Sequence, residues 1–121
     1  MFRWIRRRWY LLLAAALVGI FIHLSKRGVL YDDDCWSPNH EFFMVRKQTV
    51  ASALLSRRGD ENGWVLIYDK HGNLVHRWDG DLSTEGGPFW SGDAVNILNQ
   101  PQALLPLPVD GGDSDRIHLC Y

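Results

Sequence analysis

Reactive spacing is what this chain has least of. Five histidines occur in 121 residues, yet no two stand in HxxxH or HExxH order, and its two cysteines, Cys35 and Cys120, lie far from any CxxC pair. A metal site built from near neighbours is therefore not expected. No serine lies in a GxSxG elbow, no SerxxLys pair occurs, and no glycine-rich loop of the phosphate-cradling kind opens a helix. The ladder Asp79, Asp81, Ser83, Glu85 lacks the glycine and glutamate that a calcium loop requires at its sixth and twelfth places, where Thr84 and Trp90 stand instead. Internal repeats and low-complexity segments are missing too. With so few tools for a reaction, the sequence points away from an enzyme, from a bound cofactor and from a small-molecule substrate.

Acidic residues are missing from the first 27 positions, which hold six of the 13 basic residues. The remainder carries 7 basic against 14 acidic residues, a net −7 that the overall −1 conceals. An acidic surface repels nucleic acid, whose phosphates call for lysine and arginine clusters. It suits a basic partner, or simply solubility.

What the chain does have is one long apolar run, Trp9 to Leu24, with Arg3, Arg6, Arg7 and Arg8 before it and Lys26-Arg27 behind. Residues 9–25, at about 1.5 Å per residue, reach the lower limit for crossing a hydrocarbon core of roughly 30 Å. Trp4, Trp9 and Tyr10 suit the interfacial belt, and the arginine excess on the leading side places the N-terminus in the cytoplasm. A cleaved signal peptide fits less well. Ala14-Ala15-Ala16 lies in the middle of the run, and Ser25-Lys26-Arg27 is a poor cleavage site. Cys35 follows three aspartates rather than a lipoprotein box. The organisation expected is a basic cytoplasmic N-terminus (1–8), an uncleaved anchor in an inner membrane (9–25), a polar tether (26–34) and an exported domain (35–121).

That domain reads as mainly β. Glu41 to Lys47 alternates, with Phe42 and Met44 on one face and Phe43 and Val45 on the other. Gln48 to Ser56 is ambiguous, because its β-branched start favours a strand and Ala51 to Leu55 favours a helix. Trp64 to Asp69 and Leu74 to Trp78, joined by Lys70-His71-Gly72-Asn73, read as a hairpin with both faces covered. Asp79 to Gly87 reads as an acidic loop and Ala94 to Asn99 as a strand. The prolines at 101, 106 and 108 limit Gln100 to Pro108 to an extended edge or covering segment. Arg116 to Tyr121 is expected to close a small antiparallel meander or sandwich-like domain. In an oxidising compartment Cys35 and Cys120 are expected to pair and bracket nearly all of it.

Tryptophan is abundant: Trp36, Trp64, Trp78 and Trp90 fall in this domain, where large rings serve a core or a binding hot spot. Trp90, after Gly86-Gly87-Pro88-Phe89, is the ring expected to be exposed, with Asp79, Asp81 and Glu85 as an acidic rim for a partner. Arg58-Gly59-Asp60 forms an RGD tripeptide, expected by chance in such a setting.

Two segments, Cys35-Trp36-Ser37-Pro38-Asn39 and Gly63 to Leu74, resemble small membrane-anchored periplasmic proteins of bacteria proposed as immunity proteins against type VI secretion effectors. The resemblance spans residues 35–98. Asn39-His40 stands where an Asp-Gly turn is usual, the proline-rich end has no counterpart, and no functional residue carries over. The resemblance implies a membrane-tethered binding module that occludes a toxin, and the acidic charge suits a basic one. An accessory or structural subunit of a cell-envelope complex is the alternative expectation.

Overall fold

A computed structural model describes residues 2–55, 61–83, 89–99, 101–115 and 120–121. Among the described residues a helix, α1 (Phe2–Arg27), precedes a domain of eight strands and one short second helix. The protein is mainly β and antiparallel, as expected.

Helix α1 has 26 residues, and its apolar stretch from Trp4 to Arg27 is long enough to cross a membrane, with none of it buried against the rest of the protein. It extends the expected span at both ends, because the arginines and lysine are good helix formers. It stops at Gly28, whose positive φ of 67° closes it in the left-handed conformation that favours glycine.

Of the segment expected to be a tether (26–34), Lys26 and Arg27 belong to α1 and Val29 and Leu30 to the sheet. Strand β1 (Val29–Leu30) begins two residues after α1 ends and pairs with the far end of β3 (Phe42–Gln48), Val29 opposite Gln48 and Leu30 opposite Lys47. Strand β2 (Cys35–Trp36) pairs with the same edge nearer its start, Cys35 opposite Met44. The two short strands thus form one interrupted edge, with Tyr31 to Asp34 bridging the gap. A bulge carrying three aspartates is a poor template for a further strand.

Helix α2 (Val50–Leu55) resolves the ambiguous stretch. Thr49 Oγ1 accepts a hydrogen bond from the Ser52 backbone at 3.1 Å, the N-cap contact that tips this β-branched start towards a helix. Strands β4 (Asn62–Asp69) and β5 (Leu74–Asp81) form the expected hairpin, giving a five-stranded sheet of order β1-β3-β4-β5 with β2 also on β3. Its turn is organised by Asp69, whose Oδ1 accepts from the amides of His71 and Asn73, both at 2.9 Å. Gly72 supplies the positive φ.

Strand β5 is longer than expected and takes in Asp79-Gly80-Asp81, which composition assigns to a loop. Gly80 stays in the strand because the Trp78 ring occupies the space its Cβ would fill. A second, three-stranded sheet follows: β6 (Phe89–Ser91), β7 (Ala94–Ile97) and β8 (Ala103–Pro106). The β6–β7 link shrinks to the two residues Gly92-Asp93, with Gly92 at φ 60°. Strand β8 is the edge segment that its prolines demand.

The sheets bury their facing sides in one cluster. Phe42, Met44, Val65, Ile67 and Trp78 of the larger sheet meet Trp90, Val95 and Ile97 of the smaller, with Leu82 and Leu107 closing the ends. The domain is therefore sandwich-like. Cys35 and Cys120 are joined by a disulfide with Cα atoms 4.7 Å apart, across 85 residues of sequence. The expected closing strand, Glu85, His118 and the RGD tripeptide fall wholly or mainly outside the described residues.

Candidate partner-binding site

Because side chains alternate along a strand, the larger sheet has a second face pointing away from the core. On it, β-pairing sets Trp36 opposite Phe43 and Phe43 opposite Tyr68. The rings line up with centroids 4.9 Å and 5.2 Å apart, and His40 extends the row by stacking on Trp36 at 5.7 Å. Trp36, Phe43 and Tyr68 are all half-buried, so the row shows its edges to solvent. Aromatic cross-strand pairs stabilise a sheet by roughly 0.2–1 kcal/mol each and leave a rigid apolar strip on the surface.

The turn before β3 holds this strip in place. Ser37 is fully buried; its Oγ accepts from the Phe42 amide and donates to Asn39 Oδ1, both at 3.1 Å. Asn39 Nδ2 in turn donates to the Asp110 carbonyl at 2.7 Å. Ser37, Pro38 and Asn39 thus dock the C-terminal loop onto the start of β3, which makes their motif a structural one.

At the other end of this face Arg77 lies over the Trp64 ring, 5.0 Å from its centroid. It grips Asp79 through Nε at 3.2 Å and Nη2 at 2.9 Å, and that bond holds the guanidinium pKa above its ordinary value. Asp79 is therefore a paired carboxylate and not a bare rim charge. Asp81 Oδ1 accepts from the Ser83 amide at 2.8 Å. Neither aspartate lies in a loop. Trp90 departs furthest from expectation: it is 1% exposed, in the centre of the core, because β6 carries it inward. The structure therefore does not bring Trp90, Asp79 and Asp81 onto one surface.

One feature escaped the sequence reading altogether. Arg46, in phase with Phe42 and Met44 on β3, points inward and is 4% exposed. Its Nη2 donates to Asp32 at 2.6 Å, its guanidinium lies 5.5 Å from the Tyr31 ring, and Nε and Nη1 have no partner among the described residues. Tyr31 donates its hydroxyl to Glu61 at 2.9 Å, and burial, then that bond, raises the phenol's pKa. A cavity of about 10 Å³ lies beside Arg46, lined also by Val65, Trp78, Asp81 and Asn99. That is about the space of one water molecule. Strict alternation along β3 would have flagged Arg46.

Among the described residues no three histidine, cysteine or carboxylate side chains gather as a metal cluster. His76 donates through Nε2 to the Pro106 carbonyl, tying β5 to β8. His71 sits in the hairpin turn, and His23 is exposed on α1. Comparison with protein-family models, with curated proteins and with solved structures finds no match.

Proposed function

We propose that this chain is a binding protein held at a bacterial inner membrane, its N-terminus cytoplasmic and its domain in the periplasm, where it inhibits a secreted antibacterial toxin in the manner of an immunity protein. The observation that carries the binding role is the row Trp36-Phe43-Tyr68: a rigid, half-exposed aromatic strip on a domain joined directly to an apolar helix. Aromatic residues in such a setting supply most of the affinity of protein interfaces. The disulfide fits an oxidising compartment. The net −7 beyond residue 27 supports a basic toxin as partner, since complementary charge speeds encounter. The immunity reading itself leans on the resemblance of residues 35–98.

Deleting the gene and challenging the strain with siblings that secrete the neighbouring toxin tests this reading. Loss of survival, restored by the intact gene and not by one lacking the aromatic strip, is the expected result; undiminished survival overturns it.

One observation favours a second reading, an accessory subunit of an envelope complex. With β1 starting two residues after α1 ends, the helix and the domain are too closely coupled for the helix to be a mere leash. Replacing α1 by an unrelated span separates the two: an inhibitor keeps its function and a subunit that makes contacts through α1 loses it.

A further inference from the structure

We infer that the domain lies against the membrane, with Leu54 and Leu55 of α2 and Val29 and Leu30 of β1 seated in the headgroup layer on the side where α1 emerges. The inference rests on reading α1 as a membrane span and adds to it a defined contact surface.

Topology puts these four residues at one end of the molecule. Val29 follows Arg27, the last residue of α1, by two positions, and two links of chain reach no further than about 7 Å. Val29 pairs with Gln48, and α2 starts two residues beyond Gln48. Gln48 Nε2 donates to Ser52 Oγ at 3.2 Å, which holds the helix to that end of the sheet. The end from which α2 projects is thus the end at which the chain leaves the bilayer, with no spacer to carry it away.

The exposed surface there is apolar. Leu54 is 76% exposed and Leu55 79%, more than the large apolar side chains described along α1, and Val29 and Leu30 are exposed at the same end of the sheet. Several exposed apolar side chains gathered at one end of a domain mark a contact, whereas a lone exposed leucine does not. Charge is compatible with lipid phosphate. Lys26 and Arg27 end α1 and Lys47 lies opposite Leu30, while of the carboxylates at this end Asp79 is engaged by Arg77, Asp32 by Arg46, Glu61 by the Tyr31 hydroxyl and Asp81 by the Ser83 amide. Leucines rimmed by cations are the chemistry by which short surface helices settle about 5–10 Å into a bilayer interface. Trp64 packs against Gly28, so the junction is braced rather than open.

The test uses the full-length chain in phosphatidylcholine–phosphatidylglycerol vesicles containing a phospholipid with a photoactivatable diazirine below its headgroup. Adducts are mapped by peptide mass spectrometry. Adducts are expected on α1, on Val29-Leu30 and on Leu54-Leu55, with the far hairpin turn at Lys70 to Asn73 unlabelled. In the double variant Leu54→Gln, Leu55→Gln the α2 adducts fall severalfold, while the disulfide and near-ultraviolet circular dichroism persist. Labelling of α1 alone overturns the docking and leaves the span intact. An unlabelled α1 overturns both. Equal labelling of the far turn, or α2 labelling unchanged in the double variant, also overturns it.

Discussion

The guanidinium of Arg46, 4% exposed, is held by the carboxylate of Asp32, 53% exposed, through a bond of 2.6 Å. One charge faces the core and its counterion faces solvent, so the pair fastens the Tyr31–Asp34 bulge to the inside of β3. Stripping a partner from a buried charge is far more damaging than replacing both by apolar groups. Asp32→Asn is expected to destabilise the domain by about 1–3 kcal/mol, discounted from the fully buried case because water reaches Asp32. Arg46→Met should have a much smaller effect, and combining the two should recover most of the loss. Urea unfolding of the four proteins measures this; additive losses would mean that the pair is not coupled.

Trp90 and Trp36 should behave oppositely. Trp90 fills the core, so Trp90→Ala is expected to remove about 3–5 kcal/mol of stability. Trp36→Ala loses two partly exposed ring contacts, with Phe43 and His40, each worth about 0.5–1.5 kcal/mol, yet under the proposed function it weakens toxin binding at least about tenfold. Calorimetric titration beside thermal unfolding separates them. Toxin binding unaffected by Trp36→Ala with Phe43→Ala would remove the aromatic strip from the interface.

Reducing the Cys35–Cys120 bond opens a loop closed across 85 residues. Chain-entropy reasoning gives about 4–5 kcal/mol for a loop of that length, much of the stability of a small domain. Unfolding midpoints with and without reductant should differ accordingly. For the variant Cys120→Ser the midpoint should not respond to reductant at all.

Acid should loosen the β4–β5 hairpin through Asp69. The Asn73 amide, and then the Asn73 side chain, bond its carboxylate and lower its pKa from the ordinary 3.8. A lowered folded-state pKa means that the stabilisation is complete above the unfolded value and disappears as pH falls through the folded one. Asp69→Asn should therefore flatten the stability profile below about pH 4 while keeping the turn. Denaturation midpoints from pH 2 to 6 read the difference.

How much of this was legible in the sequence follows the range of the interactions. The apolar helix, the hairpin around Gly72, the alternation of β3 and the proline-limited edge are local patterns, and each stands where its residues place it. Val29-Leu30 is too short to register as a strand; only its partner on β3 makes it one. Asp79-Gly80-Asp81 has loop composition, but the ring of Trp78 needs the room that Gly80 leaves. Trp90 looked surface-bound after two glycines and a proline, yet its position is set by the opposing sheet, which no window of neighbouring residues contains. The row Trp36-Phe43-Tyr68 depends on register across three strands. Arg46 is legible too: its parity with Phe42 and Met44 announces an inward cation.

The cross-link between residues 35 and 120 has a bearing on damage as well as on folding. A protease that severs the backbone once anywhere between those positions releases nothing. The distal fragment remains bonded through sulfur to the fragment that carries α1, and the packed core clamps both. A singly nicked molecule therefore stays one covalent unit, and a cut between α1 and Cys35, or a cut followed by reduction, separates the outer part from α1.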